Sequence, residues 1–405
     1  MSTTAPLLDR LASDPEVARE REEHAFRAFL AVVRGSAPDR ERDRVLLHEE
    51  NARLRALGFG ALRLPVALGG AGLTLRELFE RIVDLAAADP NLAHIWRGHV
   101  AFVETLLLDP AGPPSRWVER LLAGDFVGNA QSERQETGRI TTRIERAETD
   151  GRPTLSGRKY YTTGSIYAQW IHLAALDGED RVGVTVDARL PGVSSVDDWD
   201  GFGQPLTGSG TTTFDRVPVE EAEIDRVEAG AARWRCLGSI FQLHLLAVVA
   251  GIAQRALEDT VDYVRPRKRT FGYAGERTPS EDPLVQVVVG RLSAAAYAAA
   301  RSLVLGAAQQ LDEALAGEEP DADALQRVQL DVFRLQQVVP QLVLGAATEL
   351  FEVGGASAAS ARLALDRHWR NVRTIAVHNP SSQRVAALGQ FELLGTLPEW
   401  KAPSA

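Results

Sequence analysis

Cysteine is almost missing: the 405 residues contain one, Cys236. That excludes a disulfide framework within the chain and a cysteine-built zinc site, and no metal centre is expected. Cations are outnumbered, 45 Lys and Arg against 55 Asp and Glu, for a formal net charge of −10 at pH 7. With no cation excess to neutralise phosphates, nucleic acid is not expected as a partner. No apolar run approaches the roughly 20 residues of a membrane span; LLAVVAGIA, Leu245–Ala253, comes nearest. The opening MSTTAPLLDRLASDPEVARERE reads as a capped, charged helix without the apolar centre of a signal peptide. A cytoplasmic protein that does not bind membranes is therefore expected. GxGxxG, P-loop, HExxH and GxSxG motifs are all absent. Rossmann nucleotide binding, NTP hydrolysis, zincin and α/β-hydrolase chemistry thus lose their usual support.

What remains is an ordinary globular composition, 45% apolar and 25% charged, in a chain too long for one simple core. The texture changes twice. Residues 1–124 repeat apolar positions every three or four, which predicts helices over Leu7–Val33, Asp39–Leu57, Thr74–Ala88 and Leu92–Leu108. Residues 125–230 carry short alternating runs such as TTRIERAE, WIHLAALDG and RVGVTVDAR, divided by Gly, Pro and Asp, and predict a β domain. Residues 231–405 predict a four-helix bundle over Cys236–Val264, Pro283–Leu315, Ala322–Val353 (kinked at Pro340) and Ser360–Ala376. The first two are apolar around much of their circumference, as suits mid-bundle helices or a subunit contact. The expected fold class is α+β, mostly α: a helical domain, a β-barrel or sandwich, then the bundle.

Several stretches concentrate groups that do chemistry. DRHWRNVRTIAVHNPSSQ, Asp366–Gln383, is a basic helix that stops at His378, Asn379 and a helix-breaking proline. HIWRGHVAFVE carries His99 beside Trp96, Phe102 and Val103 at helical spacing. For either histidine alone, a hydrogen-bonded structural role is the commoner outcome. GNAQSERQETG (128–138), GRKYYTTGSIYAQW (157–170) and DDWDGFGQPLTGSGTTTFD (197–215) hold hydroxyls, amides and glycines able to face the polar edge of a planar cofactor. YVRPRKRTFGY (263–273) is a burst of cations, either a solvated helix end or a phosphate clamp.

In this order the segments resemble the acyl-CoA dehydrogenase superfamily, on LPVALGGAGLTLRELFERIVDLAAADPNLA, GRKYYTTGS, RKRTFG…DPLVQVVVGRL and ELFEVGGAS. The dehydrogenases commonly carry a catalytic carboxylate after the last basic helix, where this chain has Asn379, and an amide cannot remove an α-proton. Phe351 stands where they tend to have a glutamine, which weakens the case for an FAD adenosine. RGHVAFVE, GNAQSE, YYTTGSIYAQW, DWDGFGQPLTGSGTT and DRHWRNVRT…VHNP instead resemble the superfamily's flavin-dependent monooxygenase branch, typified by dibenzothiophene and dimethylsulfone-type enzymes.

That resemblance implies a two-component enzyme. Reduced FMN (with FAD as the lesser option) comes from a separate NAD(P)H:flavin reductase, and a flavin C4a-hydroperoxide formed with O2 gives oxygen to a small sulfur-containing, nitrogen-containing or aromatic substrate. The residues implied as catalytic are His99, His378, Asn129 and Asn379. Those implied for the cofactor are Asn129, Ser132, Thr163, Ser209, Arg269, Phe271, Arg370 and Asn371, with Arg269 reaching the phosphate across a subunit boundary of a homo-oligomer, expected to be a tetramer. Trp96, Tyr161 and Trp199 are expected to line the substrate pocket. The competing readings are an FAD-dependent acyl-CoA dehydrogenase with a relocated base and a non-catalytic scaffold.

Overall fold

The computed structural model describes residues 15–134, 140–146, 151–226, 232–270, 277–317 and 319–396. Among the described residues, six α-helices precede the first strand: α1 (Pro15–Asp43), α2 (His48–Ala56), α3 (Leu75–Ala88), α4 (Pro90–Ile95), α5 (Arg97–Leu107) and α6 (Ser115–Leu122). Helix α3 begins at a capping box, in which the Thr74 hydroxyl accepts from the Glu77 N–H and the Glu77 carboxylate accepts from the Thr74 N–H. Its apolar positions Leu75, Leu78, Phe79, Ile82, Val83 and Ala86 recur at i+3 and i+4 and are all buried. The helix expected over Asp39–Leu57 is instead divided: α1 runs through Pro38 and stops before Arg44, which takes φ 52°.

Eight strands follow: β1 (Val127–Ala130), β2 (Arg143–Arg146), β3 (Pro153–Lys159), β4 (Trp170–Asp177), β5 (Asp180–Asp187), β6 (Val193–Ser195), β7 (Thr212–Pro218) and β8 (Ile224–Asp225). They form one mixed sheet in the order β6-β7-β3-β2-β4-β5-β8, with β1 also on β4. Strands β1 and β2 both run parallel to β4 and share one of its edges, β1 along Trp170–Leu173 and β2 along Leu176–Asp177. The sheet has its own apolar core, including Ile171, Leu173, Val184 and Phe214.

The described residues that follow are helical: α7 (Ala232–Val264), α8 (Pro283–Ser293), α9 (Ser302–Ala314), α10 (Ala322–Glu349), α11 (Asp366–Ala376) and α12 (Ser381–Leu394). A π-helical turn, Ala294–Arg301, separates α8 from α9, and α12 was not expected. Cys236–Val264 in α7 is long and apolar enough to cross a membrane, yet 94% of its most apolar stretch is buried in the fold. It packs on α3 and α10 at the centre of the largest core. Gly251 permits the closest approach: a Cβ there would meet the Val83 carbonyl oxygen and Ala86.

Candidate active site

The site begins where one helix becomes two. Asp89 caps α4 through Oδ1, accepting from the N–H groups of Asn91 (3.0 Å) and Leu92 (3.2 Å), and Pro90 occupies the first turn. The helix ends at Ile95, and α5 starts at Arg97 after Trp96. This junction holds His94 and Arg97 in the interior, 5% and 9% exposed.

His94 Nδ1 lies 3.0 Å from Gln204 Oε1, while Nε2 is buried with no partner. With the Gln204 carbonyl oxygen toward the ring, Nδ1 carries the proton and Nε2 presents a lone pair. Burial, and then the Arg97 charge, lower the His94 pKa to about 4. Arg97 donates from Nε to the Phe241 carbonyl (3.0 Å), lies 4.7 Å from the centre of the Phe241 ring, and turns Nη1 toward His378 Nε2 at 3.4 Å. Burial lowers its pKa to about 10, so it stays charged at neutral pH.

His378 follows α11 and keeps solvent access as a residue, although its Nε2 faces Arg97. Its pKa is held well below the ordinary value, by desolvation first and then by Arg97 and His94. The solvent access moderates the first cause; the adjacent guanidinium is the firmer one. His244 on α7 donates from Nε2 to the Ala93 carbonyl (2.9 Å), leaving a buried Nδ1 without a partner. Asn379 donates to Gln242 Oε1 at 2.7 Å. Among the described residues, no carboxylate pairs with Arg97, His94, His378 or Asn379.

The strand-rich segment adds polar groups that connect to Gln204, whose backbone carbonyl accepts from the Thr207 hydroxyl at 2.9 Å. Thr163 and Ser209 hydroxyls meet at 2.8 Å, and Ser209 meets Thr207 at 2.7 Å. Asn129 on β1 receives the close approach of α5, because a Cβ on Gly98 would lie 2.5 Å from the Asn129 Cβ. The Asn129 side-chain amide bonds to none of the described residues. Tyr161 and Trp199 meet edge to face at 6.1 Å, with Tyr161 at φ 63° and 48% exposed.

Three expectations are corrected. His99 does not face this space: Nε2 bonds the Gly60 carbonyl at 2.9 Å, Nδ1 accepts from the Val127 N–H at 3.2 Å, and the ring stacks on Phe126. Both nitrogens are committed to backbone, so the imidazole near His378 is His94. Trp96 is 1% exposed and packs on Phe59, His99 and Phe126, so it is core rather than pocket lining. Arg370 and Asn371 bind protein rather than cofactor. Arg370 donates to the Phe202 carbonyl (3.0 Å), and Asn371 accepts from the Gln204 N–H (2.6 Å) and donates to Glu41 (2.9 Å). They fix the loop that carries Gln204, whose φ is 54°. Ser132 and Arg269 are exposed in the single chain, and Phe271 lies outside the described residues.

His94, Arg97, Gln204, His244 and Gln242 were missed. The Asp89-Pro90 cap marked a helix start and could have placed His94 in its first turns. Nothing local announced the break at Trp96.

The C-terminal domain model of acyl-CoA dehydrogenases matches residues 243–383. The chain is 31% identical over 382 residues to a probable FMNH2-dependent monooxygenase, SfnC of Pseudomonas putida, covering 92% of this chain and 91% of that protein. It belongs to the flavin-dependent monooxygenase branch of the acyl-CoA dehydrogenase superfamily. The monooxygenase is also 30% identical to the dibenzothiophene monooxygenase of Mycolicibacterium goodii, over 85% of this chain and 87% of the other. FMN-bound TdsC from Paenibacillus sp. A11-2 superposes with a TM-score of 0.86 at 25% identity, covering 93% of this chain and 98% of its own.

Proposed function

We propose that this monooxygenase takes reduced FMN from a separate NAD(P)H:flavin reductase and uses O2 to oxygenate a small sulfur-containing substrate. The observation that carries the reading is the pairing of imidazoles and Arg97 around the position where a dehydrogenase keeps its carboxylate. There, Asn379 is bound to Gln242 and beside His378.

The residues present fit a flavin: two buried imidazole nitrogens and an Asn129 amide that bond none of the described residues, with the joined Thr163 and Ser209 hydroxyls, suit a planar ring with donors and acceptors along one edge. Reduced FMN, when bound, supplies the two electrons with which O2 is activated. The protein's share is placement and proton control. Thr163, Ser209 and Asn129 orient the ring. His94 Nε2, neutral at pH 7, takes up or returns a proton in a space that α4, α5 and α7 shield from water. Gln204 fixes which nitrogen does so, and Arg97 holds developing negative charge.

A homo-oligomer, taken as a tetramer, and a cytoplasmic setting belong to the same proposal. Leu284 and Val287 on α8 are 76% and 50% exposed in one chain, and Arg269 is exposed there too. Light scattering should give a multimer that L284D disperses; a monomeric wild type would remove this part.

Purified protein, reductase, NADH, FMN and 18O2 should place one labelled oxygen in the product of a sulfur substrate. His94→Ala and His378→Ala should lower that rate by about 100-fold or more while FMN binding is kept. Bleaching of bound flavin by an acyl-CoA without oxygen would favour the dehydrogenase instead.

A further inference from the structure

We infer that Glu41, a buried carboxylate on α1 bonded to neither His94 nor Gln204, is the positioning residue that fixes which nitrogen of His94 carries its proton. The placement stands on hydrogen bonds alone; its consequence for turnover rests on the monooxygenase reading.

Glu41 is 8% exposed, and the two asparagines bonded to it, Asn91 and Asn371, are 1% and 0% exposed. Its Oε2 accepts from both side-chain amides, Asn91 Nδ2 at 3.1 Å and Asn371 Nδ2 at 2.9 Å. The far ends of the same amides meet backbone. Asn371 Oδ1 accepts from the Gln204 N–H at 2.6 Å, and Asn91 Oδ1 accepts from the Leu206 N–H at 3.1 Å. Each amide can stand only this way round, because a backbone N–H only donates and its oxygen must face that donor. Pro205, between the two, has no N–H. One carboxylate oxygen therefore governs every backbone donor of Gln204-Pro205-Leu206. Two of the segment's carbonyls are taken as well. Gln204 accepts from the Thr207 hydroxyl (2.9 Å) and the Trp199 indole (3.1 Å), and Leu206 accepts from the Tyr167 hydroxyl (2.6 Å).

The clamp holds a conformation that would otherwise relax. Gln204 sits at φ 54°, a left-handed backbone that a residue with a Cβ keeps only where its surroundings over-determine it. That backbone carries Oε1 to 3.0 Å from His94 Nδ1. With the amide oxygen there, Nδ1 keeps the proton, and the buried Nε2, which bonds none of the described residues, presents a lone pair. Without the Glu41 oxygen, two buried NH2 groups lose their acceptor. The asparagines then turn, Gln204 leaves its strained conformation, and His94 Nδ1 loses the oxygen that holds its proton. The proton is then free to sit on Nε2. A site that presents a base becomes one that presents a donor, with none of the groups facing the cofactor replaced. A carboxylate that merely tied α1 to α4 and α11 would change stability and leave the tautomer alone.

That difference is measurable. Magic-angle-spinning 15N spectra of the full chain with oxidised FMN bound, labelled only at histidine, should show His94 with a protonated Nδ1 and an unprotonated Nε2. Its signals are those lost in His94→Gln. In E41L the Nε2-protonated form should appear, and kcat for oxygenation should fall about tenfold or more while KM and FMN affinity stay within about twofold. E41Q keeps a carbonyl oxygen able to accept from both asparagines, so it should restore the wild-type spectrum and most of kcat. Asn371→Ala opens one arm of the clamp and serves if E41L does not fold. A wild-type His94 that already carries its proton on Nε2, or an unchanged Nδ1–H signal in folded E41L or Asn371→Ala, would overturn the inference. If the proton moves in E41L while 18O enters the product at the wild-type rate, the placement by Glu41 stands and the proton role given to His94 in oxygenation falls.

Discussion

Two histidines five residues apart have opposite duties, and their hydrogen bonds separate them. His99 gives both ring nitrogens to the backbone, joining Gly60 to Val127 at the start of β1. His94 gives one to Gln204 and keeps the other free. In His99→Ala, a buried carbonyl and a buried N–H lose their partners and a cavity opens between Trp96 and Phe126, for a loss of about 3–5 kcal/mol. His94→Ala removes one side-chain bond in a partly polar space, at about 1–2 kcal/mol. Urea melts of the two variants should differ by about that margin, while oxygenation per folded molecule should fall mainly in His94→Ala. A stable His99→Ala protein that has lost oxygenation would reverse the assignment.

At the scale of elements, the site depends on how closely α5 meets β1. Alanine is normally worth about 1 kcal/mol over glycine inside a helix. At Gly98 the added Cβ would sit 2.5 Å from that of Asn129, and overpacking of this kind costs about 1–3 kcal/mol. The clash wins, so Gly98→Ala should lower the melting temperature and, by pushing Asn129 aside, weaken FMN binding several-fold in a fluorescence titration. A stabilised variant with unchanged affinity would show that the two elements have slack. Elements of this kind were only partly legible. Strands β2–β5 and β7 were readable because one face is buried and the side chains alternate, and α3 because its apolar stripe is regular. The three-residue β6 and two-residue β8 were too short to show a period. The division at Trp96 was not readable either, since apolar spacing runs through it, and that sent the choice to His99. Thr163 and Ser209 were recognised by chemistry, and the fold joins them. The loop carrying Gln204 is placed by Asn371 and, through it, Glu41, contacts that span 167 and 330 residues and leave no trace in any local window.

Across the whole molecule, buried imidazoles make stability depend on acid. Burial is the first cause in lowering His94 and His99 to about 4 and His244 to about 3, against an ordinary 6.5. Each is depressed on folding, so each contributes stability that is whole above pH 6.5 and drains away as pH falls toward 4, because the unfolded chain takes up the proton first. At pH 5.5 the loss is on the order of 1 kcal/mol per histidine, several for the three together. Glu41 and Asp84 act in the other direction, since burial raises their pKa and favours folding at low pH, but they are two carboxyls against five rings once His172 and His368, also lowered to about 4 by burial, are counted. Calorimetric melts should therefore hold a plateau near pH 7–8 and fall steeply from pH 6.5 downward; a maximum near pH 5 would contradict the burial of these rings. The same depression bears on activity. His94 and His378 are already neutral at pH 7, so kcat/KM should not show an acid limb at the ordinary histidine pKa. Its decline should track the loss of folded protein and coincide with the melting curve. A separate limb at pH 6.5, in protein still fully folded, would mean that His94 meets far more water than its buried setting allows or that the Arg97 charge does not keep the proton off His378.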